Sequence, residues 1–130
     1  MHLRKLILVI LVSGLVTAGL PAQRQFVDAE IVIARSVQDR EPVGAGDDFP
    51  SNVGQLAGWT RVTGAANTTI EHVWRYQGME NVIPLRIGQG SPWRTWSRKT
   101  IPSDWTGQWT FEVRDAGGNV IATTTFTVGG

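Results

Sequence analysis

Past its first residues this chain has a single imidazole, His72, and no thiol. Those counts confine the chemistry it can carry. His72 is a candidate general base, with Ser97 or Ser91 as a hydroxyl nucleophile and a distant carboxylate to complete a triad. No nucleophile-elbow motif accompanies either serine. A zinc site built from histidine and cysteine has too few ligands. Asp47 and Asp48, or Asp115 with Asn119, offer oxygen atoms without the ligand density of a calcium loop, and turn chemistry accounts for them better. The reading is therefore of a non-enzyme with no catalytic residue, metal ligand or cofactor, a hydrolase using His72 being the remotest alternative.

Binding chemistry is better represented. There are six tryptophans, and Trp93, Trp96 and Trp105 lie among cations, chiefly Arg94 and Arg98. An exposed indole beside a guanidinium stacks on a sugar or a peptide, or simply holds the arginine by a cation–π contact. Trp93 and Trp96 are three residues apart, so a regular strand sends them to opposite faces and leaves one exposed unless a bulge or loop covers it. Arg75, Arg94 and Arg98 are expected on outward positions, paired across strands with Glu71 and Glu112. Arg40, between Asp39 and Glu41, reads as a buried pin that closes a turn.

These residues need strands to position them. In residues 70–77, Ile70, His72, Trp74 and Tyr76 alternate with Glu71, Val73, Arg75 and Gln77, the mark of a half-buried strand. Burial there obliges the His72 ring nitrogens to find partners, Ser97 or a backbone carbonyl. Further strands are expected at 26–37, 58–63, 81–87, 93–99, 108–114 and 119–128. Pro84 makes 81–87 an edge or a bulge, because proline donates nothing to a ladder. Pro42 ends regular structure after the first strand, and 44–54 reads as a loop rich in Gly, Asp, Ser, Asn and Pro. Asp115-Ala116-Gly117-Gly118 supplies a hairpin turn. About seven short strands imply an all-β fold, an immunoglobulin-like two-sheet antiparallel β-sandwich, with a small barrel as the alternative.

The leader has its own signature. Arg4 and Lys5 precede an uncharged Leu/Val/Ile-rich run from Leu6 to Leu20, shorter than a membrane span requires. Residues 1–22 read as a secretory signal peptide cut after Ala22, and 23–130 as one domain. An uncleaved inner-membrane anchor is the alternative. Export to the periplasm or beyond follows, with no membrane span after cleavage. Removing Arg4 and Lys5 takes twelve basic residues to ten against eleven acidic, a formal net charge of −1. That balance gives no cationic excess for nucleic acid. Without cysteine the domain stands on its core alone.

Several motifs, taken in order, resemble a bacterial family. They are Asp39-Arg40-Glu41-Pro42, His72-x-Trp74-x-Tyr76-x-Gly78, Trp93-Arg94-x-x-Ser97-x-Lys99, Gly107-x-Trp109, Asp115-x-x-Gly118-x-Val120 and Phe126-x-Val128. The family is Domain of Unknown Function 2914, and the resemblance runs over residues 29–128. It implies an exported or membrane-tethered envelope domain and carries over no catalytic residues. This chain is little more than leader plus domain, a departure from that pattern. The expected function is non-catalytic binding of a protein or envelope component through a face or strand edge. A carbohydrate- or peptidoglycan-binding platform of Trp93, Trp96 or Trp105 with Arg94 and Arg98 is the alternative.

Overall fold

The computed structural model describes residues 26–130; the leader at 1–22 lies outside the described residues. Nine strands follow in order: β1 (Asp28–Gln38), β2 (Glu41–Ala45), β3 (Asp48–Phe49), β4 (Gln55–Thr63), β5 (Thr69–Tyr76), β6 (Met79–Arg86), β7 (Trp93–Thr100), β8 (Gly107–Arg114) and β9 (Val120–Val128). They form two sheets, β2-β1-β4-β7 and β3-β9-β8-β5-β6. This is the all-β two-sheet sandwich expected from the alternation of apolar residues. No helix occurs among the described residues, and so none long and apolar enough to cross a membrane.

Two differences from the sequence reading have simple causes. Residues expected to be loop supply β2 and β3, raising the strand count from about seven to nine. Both are edge strands, so their exposed residues show no alternation to read, and Pro42 is tolerated where no second neighbour needs its donor. The β3–β9 pairing is parallel, through Thr127–Asp48 and Val128–Phe49, so the larger sheet is mixed rather than purely antiparallel. The proline-bearing β6 is an edge, as expected.

Turn chemistry fixes the two tightest hairpins. Asp39 and Arg40 join β1 to β2 with φ of 51° and 66°, and Gln77 and Gly78 join β5 to β6 with φ of 45° and 82°. Two successive positive φ values make the tight turn whose twist matches paired strands.

The core lies between the sheets. Trp74 meets Phe111 edge-on at 4.8 Å, and Trp109 stacks on Phe126 at 5.8 Å. Offset and edge-to-face contacts of this kind suit the ring quadrupole. The facing strand β4 contributes Leu56 and Val62, both buried.

Trp59 is buried on the other, outward face of β4, next to Trp96. The β1–β2 hairpin covers it: the indole Nε1–H donates to the Arg40 carbonyl at 2.9 Å. Arg40 is thus not a buried pin between two acids. It is exposed at the hairpin tip, with its guanidinium 5.9 Å from the Trp93 ring centre. Beside it Glu41 pairs with Arg94. Replacing Trp59 by Phe keeps the ring and deletes the N–H, so about 1 kcal/mol of stability should go. Melting should fall by several degrees, and amide exchange at 39–41 should accelerate. Unchanged exchange there would mean that the indole bond does not hold the tip.

Candidate functional site

His72 projects from β5 into the centre of the sandwich and is fully enclosed. Its ring nitrogens have the partners that burial demands. Nδ1 lies 2.8 Å from the Ser97 hydroxyl of β7, and Nε2 lies 3.0 Å from the Thr60 hydroxyl of β4. Thr60 also donates to the Thr95 carbonyl at 2.9 Å, so its oxygen must accept from His72. Trp74 Nε1–H donates to Ser97 at 3.0 Å, which leaves the Ser97 proton for His72 Nδ1. One directed chain results: Trp74 to Ser97 to His72 to Thr60 to the Thr95 carbonyl. It fixes the neutral tautomer with the proton on Nε2. Burial drives the His72 pKa down to about 3. The ring is neutral and every donor is used. Ser97 was expected in this role; Thr60 was not singled out, because the hydroxyl of a strand threonine carries no pattern of its own.

This geometry leaves no cleft at His72 for a substrate. It is a polar pin joining the two sheets, and a satisfied one.

The other residues singled out in the sequence lie in three places. Trp93 packs inward beside Gly88, with its ring carbons 2.6 and 2.7 Å from where a Cβ on that glycine would sit. Arg94, Trp96 and Arg98 alternate with the inward Ser97 and so occupy the opposite, outward face of β7. Trp105 sits in the 101–106 loop, stacked on Tyr76 with ring centres 5.2 Å apart and planes 9° from parallel. Trp93, Trp96 and Trp105 therefore form no common platform. Trp93 and Trp96 do take opposite faces, but both are half-buried, because the hairpin tip caps one and Trp59 flanks the other.

On the outer face of the larger sheet Arg75 pairs with Glu80 at 2.6 Å and with Glu112 at 3.0 Å. Arg114 lies 3.3 Å and 3.4 Å from the same two carboxylates. Glu80 takes the place expected of Glu71. On the same face Val73 is buried, opposite Val82 of β6 and Glu112 of β8. Such ion pairs contribute little stability each.

Asp115 closes the β8–β9 hairpin by accepting from the Gly117 and Asn119 amides, each at 2.9 Å. Bonding from Asn119, first through its backbone and then its side chain, lowers the Asp115 pKa. Asp48 accepts from the Thr127 hydroxyl at 2.9 Å. Both aspartates thus have internal partners, and among the described residues no three His, Cys, Asp or Glu side chains converge on a metal position.

The concave feature that gathers aromatic rings was not legible in the sequence. It opens on the side of the sandwich where the edges β6 and β7 face each other. Trp74, Tyr76, Trp105, Trp109 and Met79 line it, with the polar Glu80, Asn81 and Lys99 beside them. Tyr76 is oriented by its hydroxyl, which donates to the Thr106 carbonyl at 2.8 Å. Trp109 is held by its indole N–H on the Trp105 carbonyl at 3.1 Å. Lys99 Nζ reaches Asn81 Oδ1 across the gap at 3.5 Å.

Residues 67–128 match the model of a family described as "Protein of unknown function (DUF2914)". This stretch is similar to the DUF2914 family. The matched stretch begins just before β5 and ends with β9, so it includes His72, Ser97 and the aromatic cleft. It is narrower than the resemblance over 29–128: the Asp39-Arg40-Glu41-Pro42 hairpin and Thr60 precede it. No curated protein matches the chain. Among solved structures, a β-glucosidase from Kluyveromyces marxianus is similar at 8% identity and a TM-score of 0.38, over 80% of this chain and 14% of that one. A GH3 β-glucosidase from Bifidobacterium adolescentis is similar at 9% identity and a TM-score of 0.35, over 81% of this chain and 17% of that one. The chain spans less than a fifth of the length of either, and likeness at this level carries no inference about activity.

Proposed function

We propose that the DUF2914-like domain of this chain is an exported, non-catalytic binding module that captures an extended segment of an envelope protein as an added strand on the free edge of β7. The observation that carries this reading is the contrast among sheet edges. Strand β3 has two residues, β2 has five including Pro42, and β6 carries Pro84. Strand β7 has eight residues and no proline; β9 is also uncovered from Val120 to Phe126 among the described residues, but that stretch carries no charged residue to select a partner. The hairpin tip reaches only the first two residues of β7, through Arg40 on Trp93 and Glu41 on Arg94, so the edge from Thr95 onward is unpaired among the described residues. An edge of that length offers backbone donors and acceptors to an incoming strand.

Charge narrows the partner. Arg98 and Lys99 have no carboxylate partner among the described residues. Two such cations oppose pairing of β7 with a second copy of itself and favour an acidic strand. The basic n-region and apolar run of the leader support an exported setting, and the enclosed, neutral His72 supports a non-catalytic one.

The test uses the full chain and a synthetic peptide of alternating Glu and Val or Thr, followed by calorimetry at low ionic strength. Binding is expected, weakening as salt rises. A second peptide with alternate backbone amides N-methylated keeps the charge and loses the strand donors, and it should not bind. Equal binding of the two peptides, or no binding of the first, rejects strand addition.

A further inference from the structure

We infer that the aromatic cleft between β6 and β7 is a socket for the end of one aliphatic side chain of that added strand, so the partner is an acidic extended segment bearing a single apolar anchor. The inference rests on strand addition at β7 and supplies its sequence specificity.

The geometry follows from strand alternation. Ser97 and Lys99 point into the gap between the sheets, Ser97 to His72 and Lys99 to Asn81, while Arg94, Trp96 and Arg98 point away. A strand paired to β7 lies about 4.8 Å further out and repeats the same alternation. Every second side chain of the newcomer therefore faces the gap, toward β6. The one nearest Lys99 stands at the mouth of the cleft, because Lys99 and Asn81 form its rim.

The cleft is built for something apolar and small. Its enclosed space is only about 30 Å³, enough for the end of one side chain seated in the mouth and not for an extended chain. Met79 at its lip is 53% exposed, an apolar side chain left in water beside the sandwich edge. Trp105 is half-buried, and one of its faces is already taken by the parallel Tyr76 ring. That stack leaves less flat indole for the broad contact a sugar ring makes, and an apolar side chain fills a cleft of this shape without needing it. The charges agree: the one carboxylate of the cleft, Glu80, is paired with Arg75 and Arg114, while Lys99 at the rim and Arg98 on the other face favour acidic residues on both sides of the anchor.

The experiment compares two acidic peptides that differ at one gap-facing position, Leu in one and Ser in the other, titrated into the full chain with intrinsic fluorescence as the readout. The Leu peptide is expected to bind roughly tenfold to a hundredfold more tightly, the range that burying one such side chain supplies. A blue shift should accompany it and vanish in Trp105→Phe. Met79→Ser, which removes the apolar lip without adding charge, should shrink the advantage of Leu over Ser. If both peptides bind equally well, the socket is wrong and strand addition stands. If neither binds, both fall. If N-acetylglucosamine oligomers give the Trp105 shift and the Leu peptide does not, the cleft is a sugar site and the inference is overturned.

Discussion

Between pH 7 and pH 3 the domain is expected to lose on the order of 5 kcal/mol of stability through one side chain, His72, and His72→Phe should abolish that part of the loss. The sign follows from which state takes the proton. Unfolded, the imidazole titrates near 6.5; folded, burial holds it at about 3. As pH falls below 6.5 the unfolded chain binds a proton that the native state refuses, so the native state weakens. The loss accumulates down to about pH 3 and then stops, because below that both states are protonated. No charge offsets it: in register His72 stands beside Val113 and Ile83, and across the gap it meets Thr60 and Ser97. Protonating Nδ1 would also set one donor against another at Ser97 and break the directed chain that begins at Trp74. A loss of this size is comparable to the whole stability of a small domain, so acid unfolding should arrive well above pH 3. The variant should start about 1–3 kcal/mol lower at neutral pH, since the Thr60 and Ser97 hydroxyls each lose a partner. Its curve should then be flatter through the same interval. Denaturant melts across pH, with the His72 ring followed by NMR, decide the matter: parallel curves for the two proteins, or a ring that titrates near 6, would remove His72 as the cause.

Much of this pin was legible in the sequence. The alternation of Ile70, His72, Trp74 and Tyr76 fixed the inward face of β5, and a buried imidazole needs partners, which pointed to Ser97. The residues that escaped are those whose setting depends on tertiary curvature. Trp59 looks like any strand tryptophan, and only the β1–β2 hairpin folding back over the sheet buries it. Arg40 sits between two acids in sequence, yet the turn sends its side chain to Trp93. The cleft joins Met79 and Asn81 of β6 to Lys99 of β7 and to Trp105 in a loop. Each of those residues has a plain local explanation, and their meeting depends on which two edges end up on the same side. Sequence patterns report the face a side chain takes within its own strand; they carry little about which strand lies opposite.

Gly58 shows what holds the sheets at that distance, and Gly58→Ala is expected to cost about 3 kcal/mol. It faces inward from β4, in register between Ile33 and Ser97. A Cβ built there would lie 2.2 Å from Phe111 Cε2 and 2.5 Å from Cζ, closer than atoms can approach. Phe111 cannot retreat easily, since it is fully buried and set edge-on to Trp74 at 4.8 Å and to His72 at 4.9 Å. The sheets must therefore part locally, and the nearest links between them are the His72 bonds to Ser97 and Thr60, at 2.8 and 3.0 Å. Overpacking and a stretched polar pin then act together. Phe111→Leu in the Gly58→Ala background should recover part of the loss, although Phe111→Leu alone destabilises, so the double-mutant cycle should show strong coupling. Gly78→Ala is the control: its φ of 82° strains an alanine by about 1 kcal/mol, but nothing lies within 4 Å of the new Cβ, and no coupling to Phe111 is expected. An additive cycle at Gly58 would show that the ring yields without moving the sheets. If the sheets do part, water gains access to His72 and its pKa should climb back toward 6.5. The acid sensitivity of Gly58→Ala should then be shallower than that of the parent protein, tying the spacing of the sheets to the protonation of the one imidazole between them.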